Sequence, residues 1–350
     1  MIPIDNSYFE ITTKNFTPYK KYDIAICLPY YLTGAKYKHG GTEIEILPNK
    51  ESEIKAFTKV ITAFKTFAEY ADLEVVFFIL DDASPLKMGL GAVMVELGDF
   101  ALVHCELTRN QGLGCKENIL QYFAKNFANY CLKVDADISI KCTSDRQHFL
   151  YELIRLYKKF DCFTLSIKAG MPSYWATKEA LDNGLEVEVN SGMLGNLIFQ
   201  SVKNFDWFGY TDWTIRCYED TDIWFRAKYI NQILELGMTS EFPDLEHIVK
   251  PLNIACTTFR WANAMASGFG TDSKFRRAVG LWYYSQVPYL TMPVNSKKQT
   301  PTIKYDKKKA MEAIAQGFYR KPAISPHAFA VIESIKEMFP EPKKRVKLDA

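Results

Sequence analysis

Apolar runs in the first two thirds of the chain alternate with segments whose apolar residues recur every three to four positions. Residues 23–28 and 74–80 are apolar almost throughout, which is typical of strands buried on both faces of a parallel sheet. Between them, residues 49–70 carry apolar side chains at helical spacing and predict a helix that covers the sheet. The pattern indicates an α/β fold.

The remaining elements follow from the same two patterns: helices at residues 110–126, 148–160, 307–319 and 328–338, and a strand at residues 163–169. Beyond residue 250 prolines divide the chain into short segments. We therefore expect an α/β domain over residues 1–270, followed by a largely helical extension over residues 271–350.

Polar residues stand where the apolar runs end, and open α/β sheets bind ligands at the carboxyl ends of their strands. The first run stops at Pro29-Tyr30, the second at Asp81-Asp82, and a third leads into Asp135-Ala136-Asp137. If the third run continues as a strand, side-chain alternation puts Asp135 and Asp137 on one face, where they could bind a hard divalent cation. An isolated Asp-x-Asp is more often only a polar strand end.

A fourth acidic segment, at residues 219–226, reads as the start of a helix. Glu219, Asp220 and Asp222 fall in its first turn, and Arg226 follows one turn later. Acids in a first turn are favoured by the helix dipole, so they are not by themselves a sign of function.

Together these segments resemble the GT-A fold of nucleotide-sugar glycosyltransferases, especially the inverting family-2-type enzymes. The shared order is a first strand, Asp-Asp-x-Ser, an Asn-x-Gly stretch (here Asn110-Gln111-Gly112), Asp-x-Asp, and Glu-Asp-x-Asp with a following arginine. The match spans about residues 22–250, and its last motif is also similar to the acceptor-side motif of the β-galactosyltransferases. The resemblance implies a Rossmann-like, mostly parallel central sheet flanked by helices.

The resemblance also implies a nucleotide-sugar donor of the UDP type and a bound Mn²⁺ or Mg²⁺. Asp82 would accept a hydrogen bond from the nucleobase imide, and Asp137 would be the direct metal ligand. Asp135 would orient the ribose or a metal-bound water. His247 is a further metal candidate, although a lone histidine is more often structural. The expected donor-binding residues are Pro29, Tyr30, Asp81, Asp82, Asn110, Gly112, Lys116 and Asp135.

For the acceptor side, the resemblance assigns the general base to Asp220. Glu219 and Asp222 would bind acceptor hydroxyls or brace the helix. Trp207 and Trp213 could stack against the acceptor, or pack in the core instead. One departure concerns Glu117, which precedes Asn118 at a position where many relatives have an arginine.

Composition agrees with a globular protein. A chain of 350 residues with 48% hydrophobic content can fill a sizeable core. No apolar run approaches the ~18 residues of a membrane span, and the polar start is unlike a signal peptide. The eight cysteines form no Cys-x-x-Cys pair, which favours reduced thiols. We expect a soluble, cytoplasmic protein.

Positive charge is concentrated near the carboxyl terminus. Residues 271–350 contain 16 Lys or Arg against 7 Asp or Glu, a net charge of +9, whereas residues 1–270 carry −7. This extension could contact an anionic partner, either nucleic acid or a membrane surface, or simply be a solvated lysine-rich face.

Several functions stay open at this point. A saccharide or glycan is the expected acceptor, and the alternative is a hydroxymethylated base in DNA. A nucleotidyltransferase is less consistent with the sequence, because a Gly-rich phosphate loop would follow the first strand where Pro29-Tyr30 stands. A non-catalytic protein that binds nucleotide sugars or nucleic acid on a transferase fold is a further alternative.

The DNA hypothesis makes a prediction about salt. Each phosphate that the extension neutralises should contribute a slope of about −0.9 to log affinity against log salt. Changing Lys274, Arg276 and Arg277 to Gln should therefore flatten the slope measured by filter binding to duplex DNA, while nucleotide-sugar binding stays unchanged. Absence of DNA binding even at low salt would contradict the hypothesis.

Overall fold

The computed structural model describes residues 8–31, 37–39, 42–44, 50–85, 89–136, 138–140, 148–167, 177–180, 185–189, 197–214, 219–258, 262–264, 290–291, 304–305 and 321–339. Its elements in chain order are β1 (Phe9–Lys14), β2 (Tyr22–Tyr30), β3 (Tyr37–His39), β4 (Thr42–Ile44), α1 (Lys50–Glu69), β5 (Val75–Asp81), α2 (Leu90–Leu97), β6 (Ala101–Leu107), α3 (Leu113–Phe127), β7 (Ala128–Val134), β8 (Ile138–Ile140), α4 (Phe149–Lys159), β9 (Cys162–Ile167), β10 (Thr177–Ala180), β11 (Glu186–Val189), β12 (Leu197–Ser201), α5 (Asn204–Trp207), α6 (Glu219–Glu235), β13 (Asn253–Thr258), β14 (Ala262–Ala264), β15 (Leu290–Thr291), β16 (Lys304–Tyr305) and α7 (Pro326–Met338).

A ten-stranded sheet lies at the centre of the described structure, in the order β1-β6-β5-β2-β7-β12-β9-β13-β11-β10. Strands β6, β5, β2 and β7 are parallel to one another, and β9 is parallel to β13. Strands β1, β12 and β11 are antiparallel to their neighbours, so seven of these ten strands point the same way. The predicted α/β class with a mostly parallel central sheet is confirmed.

The parallel strands define two edges of this sheet. Strands β2, β5, β6 and β7 end at Tyr30, Asp81, Leu107 and Val134. We call this edge the carboxyl edge, and we call the edge where the same strands begin the amino edge. Because α3 connects the end of β6 to the start of β7, its first residue lies at the carboxyl edge and its last residue at the amino edge.

Helices cover both faces of the sheet. On one face, α1, α2 and α4 pack against Ile24, Ile26 and Leu28 of β2. On the other face, α3 and α7 enclose Ala25 and Cys27 of the same strand. Alternate residues of one strand thus enter two separate cores. This explains why strands such as β5, buried at all seven positions, are apolar rather than alternating.

Most predicted elements are confirmed within a few residues. The helix expected at residues 49–70 is α1, those at 110–126 and 148–160 are α3 and α4, the strand at 163–169 is β9, and the helix at 328–338 is α7. The helix expected at residues 307–319 lies outside the described residues, as does most of the basic extension.

The strand predicted at residues 23–28 is β2, and it ends later than the sequence indicated. Strand β2 continues through Pro29 to Tyr30, which pair with Leu80 and Asp81 of β5. Pairing of β2 with β7 has already ended at Cys27. Tyr30 O accepts from Asp82 N on the β5 side, so the nitrogen of Pro29 faces the β7 side, where no ladder bond is lost.

Helix α7 belongs to the core of the sheet. Ser325 caps it, with its hydroxyl accepting from Ala328 N at 2.9 Å, and Pro326 occupies the first turn. Val331, Ile332 and Ile335 are buried in the same core as α3 and β2. The helical part of the expected extension is confirmed for α7, whereas a domain boundary at residue 270 stays a prediction.

The segment before α7 is tied to α3 by one buried side chain. Asn118 Nδ2 donates to Ala323 O at 3.1 Å, and its Oδ1 accepts from Ser325 N at 2.9 Å. The same segment packs against Gly209, which has φ +82°, and a Cβ there would lie 2.7 Å from Pro322 O. Asn118 therefore has a structural role.

Within the described residues, no helix has the length and apolar composition needed to cross a bilayer.

Because one face of α7 is buried, substitutions on its two faces should differ in their effect on the free energy of unfolding. Ile332→Ala should lower the free energy of unfolding by about 2–5 kcal/mol, because it removes a fully buried side chain. Phe329 lies on the same helix but is 42% exposed, so Phe329→Ala should change the free energy of unfolding by no more than about 0.5 kcal/mol. Urea unfolding followed by circular dichroism measures both. Equal midpoints for the two variants would contradict a core position for α7.

Candidate active site

Asp82 follows the last residue of β5, and its side chain accepts hydrogen bonds from the turn that precedes α3. Its side chain is fully buried; Oδ1 accepts from Gln111 N at 2.7 Å and Oδ2 from Gly112 N at 3.3 Å. Lys116 Nζ lies 3.6 Å from Oδ2. Burial raises the pKa of Asp82, while the Lys116 charge and the two amide donors act in the opposite direction. Asp82 thus fixes the turn that begins α3.

Other predicted donor-binding residues surround this turn. Asn110 is exposed, and its Oδ1 accepts from Gly112 N at 3.1 Å. Gly112 has φ +84°, a left-handed conformation that glycine adopts without strain. Asp81 is buried, and its Oδ1 accepts from Ser84 N at 2.7 Å. The structure therefore brings Asp81, Asp82, Asn110, Gly112 and Lys116 together at the carboxyl edge.

Pro29 and Tyr30 also end at this edge, but both side chains are buried. The ring of Tyr30 lies 4.8 Å from that of Phe57, and its hydroxyl is 3.2 Å from Nε2 of His104. Burial and, next, the charge of Asp81 raise the pKa of Tyr30 well above its ordinary value. The Tyr30 ring is a core side chain rather than part of a ligand surface, because β2 extends further than the sequence indicated.

A cavity of about 250 Å³ opens beside Asp82. Its lining residues are Glu10, Ala83, Ser84, Glu106, Leu107 and Thr108. Typical ligand pockets have volumes of roughly 300–1,000 Å³, so this cavity could hold only part of a nucleotide sugar.

A buried lysine forms the second group of charges at the carboxyl edge. Lys133 Nζ lies 2.9 Å from Glu117 Oε1 and 2.6 Å from Asp135 Oδ1. Glu117 Oε2 also accepts from the hydroxyl of Thr211 at 3.2 Å. The side chain of Asp135 is 28% exposed, whereas those of Lys133 and Glu117 are 7% and 3% exposed. Asp135 is the member of this group that a ligand can reach.

Sequence reasoning missed Lys133 and Thr211. The available signal was a lysine inside a run that otherwise predicts a buried strand. A lysine in such a place is almost always paired with a carboxylate. Which carboxylate pairs with it depends on the packing of α3 against β7, which the sequence does not show. Glu117, noted as a departure from the family pattern, is one partner.

The structure describes the first two residues of the Asp-x-Asp motif, Asp135 and Ala136. Strand β7 ends at Val134, and Ile138 N donates to Asp135 O at 3.4 Å. The expectation that Asp135 and Asp137 share one face of a strand stays a prediction. Asp137 itself lies outside the described residues.

The acidic segment begins α6 as predicted. Arg226 is buried; its Nε donates to Asp222 Oδ2 at 2.9 Å, and its other nitrogens donate to Phe208 O at 2.8 Å and Tyr210 O at 2.9 Å. Arg226 thus holds Asp222 in an ion pair within α6, and its bonds to the two carbonyls fasten the helix to the preceding loop. The side chain of Glu219 lies outside the described part of the structure.

Asp220 lies at the end of α6 that is farther from the amino edge. Near the other end of α6, Asn231 Oδ1 accepts from Leu252 N at 2.6 Å. Leu252 precedes β13, which begins beside the start of β9 at the amino edge. Asp220 is eleven residues before Asn231, roughly 16 Å along the helix axis.

Trp207 and His247 lie at the amino edge. Strand β12 runs antiparallel to β7, so the chain after it emerges at that edge, where Val202 N donates to Asn129 O. The Trp207 ring lies 5.6 Å from Phe163 and 5.3 Å from His247. Neither residue lies with Asp82 and Asp135, so the structure does not bring them into the site that the sequence predicted.

Trp213 follows a segment that packs along α3, away from Trp207. The backbone at Thr211 has returned along α3, where Thr211 N donates to Gln121 Oε1 at 2.7 Å. Trp213 follows two residues later and is 37% exposed. It remains a candidate to stack against an acceptor.

The predicted metal residues fit a divalent cation in part. Among the described residues, no three His, Cys, Asp or Glu side chains are grouped closely enough to hold a metal ion. The partly exposed carboxylate of Asp135 offers the oxygen ligands that Mg²⁺ or Mn²⁺ prefers, and Asp137 follows two residues later. His247 does not fit, because it lies at the opposite edge.

Comparisons with known proteins find similarity only among solved structures. No protein-family model matches the chain, and no curated protein does. Similar solved structures include S. aureus TarS 1–349 in complex with UDP, at 15% identity over 68% of this chain and 60% of that one, TM-score 0.41. Another is the mannosyltransferase PcManGT from Pyrobaculum calidifontis in complex with GDP-Man and Mn²⁺, at 13% identity over 92% and 81%, TM-score 0.44.

A third similar structure is UDP-glucose pyrophosphorylase complexed with UDP-glucose, at 12% identity over 75% of this chain and 99% of that one, TM-score 0.38. The chain spans 54% to 66% of the length of three TarS structures. Identities and TM-scores this low assign neither a family nor a reaction.

Proposed function

We propose that this chain is a metal-dependent glycosyltransferase of the GT-A type. It would move a sugar from a nucleoside-diphosphate donor, of the UDP type, to an acceptor hydroxyl with inversion at the anomeric carbon. The observation that carries the proposal is the convergence of Asp82, Lys116 and Asp135 at the carboxyl edge, where open α/β sheets bind their ligands.

In this proposal the nucleobase lies against the turn that Asp82 fixes. Asp82 holds Gln111 and Gly112, and the neighbouring cavity offers the hydroxyls of Ser84 and Thr108. Lys116 offsets negative charge that the diphosphate gains as its bond to the sugar breaks. A divalent cation bound by Asp137 and Asp135 would supply further positive charge to both phosphates.

Asp220 acts as the general base in the proposed reaction. It takes the proton of the acceptor hydroxyl while the acceptor oxygen forms a bond to the anomeric carbon. The bond from that carbon to the diphosphate oxygen breaks, and the electron pair leaves with the diphosphate. Arg226 anchors α6 through Asp222 and the carbonyls of the 208–210 loop, so the base is presented from a rigid helix. Glu219 and Trp213 would contact the acceptor.

A saccharide is the proposed acceptor. Modification of hydroxymethylated bases in DNA remains the alternative, supported by the charge of the basic extension alone. A non-catalytic binding protein is distinguished from both by the absence of turnover with any acceptor.

The donor site can be tested by calorimetry. Titrating UDP-sugars and GDP-sugars into the wild-type protein should show binding that requires Mn²⁺. Asp137→Ala should remove this binding, because the main metal ligand is lost. The matched control is Asp99→Ala, at an exposed position beside the amino edge, which should bind as the wild type does. Unchanged donor affinity in Asp137→Ala would remove Asp137 from the metal site.

The general base can be tested by kinetics. Asp220→Asn should lower turnover by about 10²- to 10⁴-fold, the range for loss of a general base, with donor affinity unchanged. Glu235→Gln, at the far end of α6, should keep wild-type turnover. NMR of the product should show an inverted anomeric configuration. A retained configuration, or near wild-type turnover in Asp220→Asn, would exclude the role proposed for Asp220.

A further inference from the structure

Lys133 is a buried cation that the reaction proposed above does not use. It lies in β7 beside apolar residues, with 7% of its side chain exposed. A lysine this deeply buried is costly unless its ammonium is paired. Lys133 is paired with two carboxylates, at 2.9 Å to Glu117 and 2.6 Å to Asp135. Both contacts are within ion-pair distance, so the charge of one ammonium offsets both carboxylates.

The two carboxylates differ in their surroundings. Glu117 is buried in α3, and its second oxygen accepts from the hydroxyl of Thr211, which also accepts from Gln121 Nε2 at 2.8 Å. This end of the group is fixed by the packing of α3. Asp135 follows the last residue of β7 and is partly exposed. Lys133 thus connects a rigid interior carboxylate to the carboxylate at the surface of the site.

We propose that Lys133 is a positioning residue of the donor site. It holds Asp135 in the orientation that contacts the donor ribose or a metal-bound water, and its positive charge offsets the acids that would otherwise face the donor phosphates. Without it, Glu117 and Asp135 would place two uncompensated negative charges beside an anionic ligand. This inference rests on the proposed function, because it assumes that a nucleoside diphosphate binds at the carboxyl edge.

The test compares lysine substitutions at the two edges of the sheet. Calorimetry would measure the Kd of UDP at a constant, saturating concentration of Mn²⁺, and thermal unfolding would be followed on the same samples. Lys133→Met should raise the Kd about 10- to 100-fold, the range for loss of a side chain that orients a site carboxylate. Lys133→Arg keeps the charge and the donors and should stay within about threefold of the wild type.

The matched control is Lys125→Met. Lys125 also forms an ion pair with an aspartate, Asp206, but at the amino edge. It should leave the Kd of UDP unchanged, since Lys125 lies at the far end of α3 from Asp82. A role of Lys133 in stability alone would lower the melting temperature of Lys133→Met and leave its Kd equal to that of the control.

A second variant covers the case in which Lys133→Met does not fold because Glu117 is left buried without its cation. Lys133→Met combined with Glu117→Gln removes both buried charges, a change that is often tolerated. It should fold and still bind UDP at least tenfold more weakly. Wild-type affinity in this double variant, or in a folded Lys133→Met protein, overturns the inference alone. If the wild-type protein itself binds no nucleoside diphosphate, the proposed function is overturned, and the inference with it.

Discussion

The parallel alignment of β2, β5, β6 and β7 is the constraint on which the candidate site depends. Strands that run in one direction end at one edge, so the polar residues after each strand meet there although the sequence separates them widely. Asp82, at the end of β5, receives hydrogen bonds from the turn that starts α3. Asp135, at the end of β7, lies at the same edge. Both faces of these strands are covered by helices, which leaves their ends as the place where polar groups can face a ligand.

Charge compensation then determines how these side chains are arranged. Lys116 lies beside Asp82, Lys133 joins Glu117 to Asp135, and Arg226 holds Asp222. Each cation is largely buried, and a buried charge without a partner is far more costly than a paired one. Such pairs contribute little net stability, but they restrict each carboxylate to one orientation. Restricted orientation is what a binding or catalytic site requires.

Helix α3 connects the parts of the molecule that would act together. Its first residues follow the turn fixed by Asp82, while Glu117 and Asn118 contact the 209–212 loop and the segment before α7. That loop is in turn fastened to α6 by Arg226. Helix α7 therefore packs in the same core as α3, the helix that begins at the candidate site. The residue that precedes α7, Ser325, is more than 200 residues away in sequence from its partner Asn118.

The sequence by itself determined the α/β class, five of the described helices, four strands of the central sheet and the acids of the carboxyl edge, because burial on two faces leaves long apolar runs that end in polar residues. Only the tertiary structure decided which polar residues meet. Trp207 and His247 lie at the amino edge because β12 is antiparallel to β7, and no local pattern encodes strand direction. Tyr30 is buried because β2 runs past Pro29, and Lys133 is paired because α3 packs on β7. Hydrophobic periodicity shows which residues are buried, whereas the partner of each polar side chain depends on contacts between residues that are distant in the chain.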